Sequence, residues 1–150
     1  MRPPFSLVAL LLLTAGCVPF NQRVDSPVPS VVNPAPANLI PTLVTDASTQ
    51  LEILYPAPST PVGLAAQPAD TFGQGLVAAL IAKGYHVTVG SARTAPAGYA
   101  LSYFIDVPTG VPAGLEVYRV TVFVGSTSIS RAYLPDPSGA VPAGPWSQRQ

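Results

Sequence analysis

Thr71-Phe72-Gly73-Gln74-Gly75-Leu76-Val77-Ala78-Ala79-Leu80-Ile81-Ala82-Lys83-Gly84-Tyr85-His86-Val87-Thr88-Val89 carries two hydrophobic periods in succession, and the switch between them decides the fold class. Leu76, Val77, Leu80 and Ile81 share one helical face, Thr71 and Gln74 have the form of a capping box, and Gly84 suits a helix stop. The spacing predicts a helix over about Phe72 to Lys83. From Tyr85 the period becomes two, with Tyr85, Val87 and Val89 alternating against His86 and Thr88, which predicts a strand.

Downstream the two-residue period persists. Tyr99, Leu101, Tyr103 and Ile105 alternate with Ala100, Ser102, Phe104 and Asp106. A third strand is expected over Leu115 to Val124, with Tyr118, Val120, Val122 and Val124 on one face and Arg119, Thr121 and Phe123 on the other. Gly125-Ser126 turns it into a fourth, Ser128 to Leu134, with Ile129, Arg131 and Tyr133 on one side. Upstream, Ile40, Leu43, Val44, Ala47, Leu51 and Leu54 recur at helical spacing from a start near Pro41. The prolines of Tyr55 to Pro61 end that helix and force an extended path, and Val62 to Ala66 reads as a short edge strand. The tail, Pro135 to Gln150, is turn-rich and holds the single tryptophan, Trp146. The expectation is an α+β domain of two helices packed on a mainly antiparallel sheet of about four to five strands.

Residues 1–16 read as a secretory signal peptide, from the basic start Met1-Arg2 through the apolar run Phe5 to Leu13 to small residues. The apolar run is about half the ~20 residues that span a bilayer. Thr14-Ala15-Gly16-Cys17 resembles the bacterial lipobox, in which the cysteine is acylated and becomes the new amino terminus. A single cysteine in an exported chain has no internal disulfide partner, so its place at the cleavage boundary favours lipidation of Cys17. Two or three acyl chains would make release negligible. Val18 after the cysteine, by resemblance to the sorting rule of enteric bacteria, points to the outer membrane, with the remainder facing the periplasm. Residues 17–40, with prolines at 19, 27, 29, 34 and 36, read as a tether, and 41–150 as the folded domain with its tail.

Charged residues make up 9% of the 150, against about a quarter in an average soluble domain, and seven basic residues balance seven acidic ones. No basic run is available for a phosphate backbone, so direct nucleic-acid binding is not expected. A catalytic set is equally hard to assemble. His86 is the single histidine and reads as a surface or loosely buried residue of a strand, and one His with one acylated Cys makes no zinc site. Asp106 and Glu116 could oppose each other across a hairpin, but Arg119 is near enough to pair with either. Gly73-Gln74-Gly75 lacks the further glycine and lysine of a phosphate loop. Neither enzyme activity nor a cofactor is expected. Arg119, Arg131, Tyr133 and Trp146 remain as candidate partner contacts, weighed against internal pairing of the arginines with Asp106, Glu116 or Asp136 and against a core role for the aromatic rings.

Taken in order, Leu54-Tyr55-Pro56, Asp70-Thr71-Phe72-Gly73, Ala82-Lys83-Gly84-Tyr85-His86-Val87, Leu101-Ser102-Tyr103, Tyr118-Arg119-Val120-Thr121, Ser128-Ile129-Ser130-Arg131-Ala132-Tyr133 and Pro142-Ala143-Gly144 before Trp146 resemble the conjugal transfer protein TrbH family. The resemblance runs from about Ala47 to Trp146. It implies a small outer-membrane lipoprotein of the mating-pair-formation apparatus, a type IV secretion system that moves plasmid DNA between bacteria. Its partners would be other subunits of the conjugative channel and, through the lipid anchor, the membrane. Rival readings are an envelope lipoprotein that binds cell wall or a small ligand, an exclusion lipoprotein of the recipient cell, and an envelope hydrolase using His86.

Overall fold

The computed structural model describes residues 30–31, 35–90 and 98–150. The residues read as a signal peptide, Cys17 and most of the stretch read as a tether lie outside these residues.

Strand β1 (Ser30–Val31) comes first, followed by helix α1 (Ile40–Leu54), a 3-10 turn (Ala57–Ser59) and strand β2 (Val62–Leu64). Helix α2 (Thr71–Ala82) leads to β3 (Val87–Val89), β4 (Tyr99–Asp106), β5 (Tyr118–Val124), β6 (Thr127–Asp136), β7 (Gly139–Pro142) and β8 (Ser147–Arg149).

Helix α2 is bounded by two local devices. Asp70, in extended conformation, is the N-cap, and its Oδ1 accepts from the Gly73 N–H at 2.8 Å. The expected cap, Thr71, is already the first helical residue; Gln74 reaches back, but as a donor to the Pro68 and Ala69 carbonyls at 3.4 Å. At the other end Gly84 has φ +87°, with Gly84 N–H bonded to Ile81 O and Tyr85 N–H to Leu80 O. That pair of bonds is a Schellman motif, and its flanking residues Leu80 and Tyr85 are both buried. Helix α1 carries Pro41 in its first turn, where the missing N–H costs nothing, and buries Leu43, Val44, Ala47, Ser48 and Leu51.

The two helices run side by side in the same direction. A Cβ on Gly75 would lie 3.0 Å from Val44, and eight residues further along each helix Glu52 meets Lys83 at 2.6 Å. Between them the chain crosses back through β2. This connection places β2 in the interior of the sheet, parallel to both β3 and β4, in the order β3-β2-β4-β5-β6-β7.

Five expectations are corrected here. The sheet is mixed, because β1 and β2 pair with β4 in parallel, and it has more strands than the four to five expected, because β1, β7 and β8 join it. Val62–Leu64 is not an edge strand: all three of its residues are buried between its neighbours and the helices. The tail is not only turns, since β7 and β8 both pair with β6, at Tyr133–Asp136 and Ser128–Ser130 respectively. The stretch read as tether also contributes to the fold, through Ser30–Val31 beside Phe104–Ile105 and through buried Ala35 and Leu39. The extended path expected after α1 is interrupted by the 3-10 turn.

The core lies between the helices and one sheet face. Leu101, Tyr103 and Ile105 of β4, Val120, Val122 and Val124 of β5, and Ile129 and Tyr133 of β6 are buried there with Leu43, Ala47, Phe72, Leu76 and Leu80. Each fully buried aliphatic side chain contributes about 1.5–3 kcal/mol.

Candidate functional site

The alternate residues of the same strands make the other face of the sheet. Register aligns Ser102, Phe123 and Ser128 in one row, Phe104, Thr121 and Ser130 in the next, and Asp106, Arg119 and Ala132 in a third. No helix among the described residues covers them. Ser102 and Thr121 are nonetheless shielded, because the rings of Phe104 and Phe123 meet diagonally across the strands at 5.7 Å.

Returning along β6, the tail raises one wall of this face. The Ser147 and Ser130 hydroxyls bond at 2.9 Å where β8 pairs with β6, and the result is a concavity of about 570 Å³. Phe104, Phe123 and Thr121 form its floor, while Pro145, Ser147 and Arg149 stand on the tail side.

Arg119 lies on this face and is held bidentately by Asp106, Nε to Oδ1 at 2.9 Å and Nη2 to Oδ2. The hydrogen bond to Asp106 raises the guanidinium pKa above its usual value, outweighing the opposing effect of burial. The internal pairing with Asp106 weighed from the sequence is therefore present.

Arg131 and Tyr133 point to the opposite side, where they share a partner that the sequence reading did not identify. Arg131 Nη1 donates to both oxygens of Asp46 on α1, at 3.1 and 2.9 Å, and its Nε donates to the Gly144 carbonyl at 2.7 Å. Tyr133 donates to Asp46 Oδ2 at 2.6 Å and is wholly buried. Burial first, and then the bond to Asp46, pushes its phenol far above the ordinary range. The partner of Arg131 is thus Asp46 and not Asp106, Glu116 or Asp136. Trp146 packs half-buried against the core, with its Nε1 buried and without a hydrogen-bond partner among the described residues.

The remaining candidates do not converge. His86 is exposed just ahead of β3, with its carbonyl accepting from Val62 N–H, and Glu116 is exposed in the β4–β5 loop. Among the described residues no three of His, Cys, Asp and Glu come together as a metal site, and no helix is long and apolar enough to cross a membrane.

The Phe104–Phe123 pair was missed by sequence reasoning, although each ring stands out of phase with the buried residues of its own strand. The diagonal contact that joins them depends on strand register, which alternation alone leaves open.

No curated protein and no solved structure gives a significant match to the chain. The family model described as conjugal transfer protein TrbH matches residues 25–150, which includes every element from β1 to β8. The chain therefore belongs to the TrbH family of conjugal transfer proteins.

Proposed function

We propose that this protein is a structural lipoprotein of the mating-pair-formation complex, held at the outer membrane through acyl chains on Cys17, with its domain in the periplasm. The observation that carries the reading is the family match over residues 25–150. Its agreement with the lipobox-like Thr14-Ala15-Gly16-Cys17 upstream supports the anchored form. The domain acts as a brace without turnover, docking on other transfer subunits.

Anchoring sets a geometric limit on that docking. Thirteen residue steps separate Cys17 from Ser30, where the sheet begins, so the domain stays within ~45 Å of its anchor. Confinement of this kind raises the effective concentration at the membrane to about millimolar, so that a weak contact suffices for full occupancy.

The deciding experiment is plasmid transfer from a donor lacking this gene, complemented with wild type or Cys17→Ser. Loss of transfer restored by the wild type alone is the expected result. Rescue by both forms would remove the anchor from the mechanism, and unchanged transfer on deletion would defeat the reading in favour of a cell-wall or recipient-exclusion role.

A further inference from the structure

We infer that the concave face of the sheet is a docking groove for an extended, acidic segment of another transfer subunit, with an apolar side chain on the Phe104–Phe123 pair and a carboxylate on Arg149. This rests on the functional reading above and names the chemistry of its partner.

Charge is the first argument. Arg119 and Arg149 line the concavity, Arg131 borders it while its guanidinium turns to Asp46 on the other side, and among the described residues no carboxylate lines it. Asp106 satisfies Arg119 and Asp46 satisfies Arg131, whereas Arg149 is exposed and makes no ion pair among the described residues. Among the described residues the groove therefore presents one unpaired cation beside an apolar floor.

Shape supplies the second argument. Phe123, Ser128 and Arg149 stand in one cross-strand row, so the apolar floor and the cation lie about two strand spacings, ~10 Å, apart. An extended segment laid across the strands, with alternate side chains ~6.8 Å apart on one face, presents an apolar group and a carboxylate over that span. The volume, about 570 Å³, lies within the ~300–1,000 Å³ typical of ligand sites.

Other occupants fit less well. A second copy meeting this face symmetrically would offer Arg149 no carboxylate among the described lining residues. A nucleic acid would ask for several free cations, and a lipid surface would meet the hydroxyls of Ser128, Ser130 and Ser147.

The test places the photo-crosslinking residue p-benzoylphenylalanine at position 123 of the full chain, in donor cells carrying the whole transfer system. The expected product joins another transfer subunit through a segment containing Asp or Glu. Its yield falls about tenfold with Arg149→Glu and is retained with Arg149→Lys. Arg149→Glu should unfold at the wild-type temperature, since Arg149 makes no ion pair among the described residues. Capture of a second copy, of this chain's own residues or of cell wall, absence of a product, or a yield indifferent to charge reversal would each overturn the proposal. Deletion of the gene separates the two failures. Lost transfer with a charge-indifferent product sinks the groove alone, and unchanged transfer sinks the functional reading.

Discussion

Tyr103 and Tyr133 lie in the core of this domain, and each donates a hydrogen bond to an aspartate, one the N-cap of α2 and the other within α1. Tyr103 donates to Asp70 at 2.5 Å and Tyr133 to Asp46 at 2.6 Å, so that β4 is tied to α2 and β6 to α1. A buried hydroxyl without such a partner costs about 1–3 kcal/mol, which makes these residues conditions for the core as well as members of it. Asp46→Ala strips acceptors from both Arg131 and Tyr133. It is expected to lower stability by about 2–3 kcal/mol in urea unfolding, with Tyr133→Phe costing less, because that change removes donor and polar demand together. Gly73 is constrained by the same arrangement. A Cβ there would sit 1.7 Å from the Tyr103 hydroxyl oxygen and 2.6 Å from Pro68, so Gly73→Ala should destabilise by about 1–3 kcal/mol and lower the melting temperature. Adding Tyr103→Phe should recover part of that loss, and full additivity of the two changes would argue against the clash.

At the scale of elements, α2 owes its limits to Asp70 and to the Leu80–Tyr85 closure. Asp70→Ala removes the cap and the Tyr103 acceptor at once and is expected to cost about 2–4 kcal/mol, while Asp70→Ser, which retains capping, should cost less. Equal losses for the two variants in denaturant titrations would show that the cap contributes nothing. Gly84 differs from Gly73 in that a Cβ there would meet nothing within 4 Å, so Gly84→Ala tests the left-handed backbone alone, at about 1 kcal/mol. The tail elements carry a separate role. Strands β7 and β8 cover the outer edge of β6, and removing residues 137–150 would bare that edge. The truncated chain is therefore expected to self-associate, as read by light scattering.

For the molecule as a whole, pH dependence follows from the buried phenols. Burial first, and then the bonded or nearby carboxylate, raises the pKa of Tyr85, Tyr103 and Tyr133 above the ordinary value of 10.0. The folded state holds these protons more tightly than the unfolded chain does. Their contribution is complete below pH ~10, and it is lost progressively above that as the unfolded chain ionises, by at most about 1.4 kcal/mol per pH unit for each phenol. Urea midpoints should accordingly hold steady up to pH ~9 and fall beyond ~10, with a shallower fall in Tyr133→Phe. A stability independent of alkaline pH would contradict the buried donor role.

Local pattern determined a good deal of this protein. Helix α1 stands where Ile40, Leu43, Val44, Ala47 and Leu51 recur, α2 begins within one residue of its expected start, and β4 coincides with the alternation from Tyr99 to Asp106, because period and caps are properties of neighbouring residues. The family resemblance rested on the order of short motifs, which is equally a property of the chain. Tertiary structure alone decided what depends on residues far apart. Val62–Leu64 reads as a weak edge strand until the crossover between two parallel helices sets it in the sheet interior. Asp46 is an ordinary helix carboxylate until Arg131 and Tyr133 arrive from β6. Phe104 and Phe123 become a pair, and the turn-rich tail becomes the wall of a groove, only when register and the return of the chain along β6 place them together, since a period of two fixes which face a residue occupies and not which neighbour it meets.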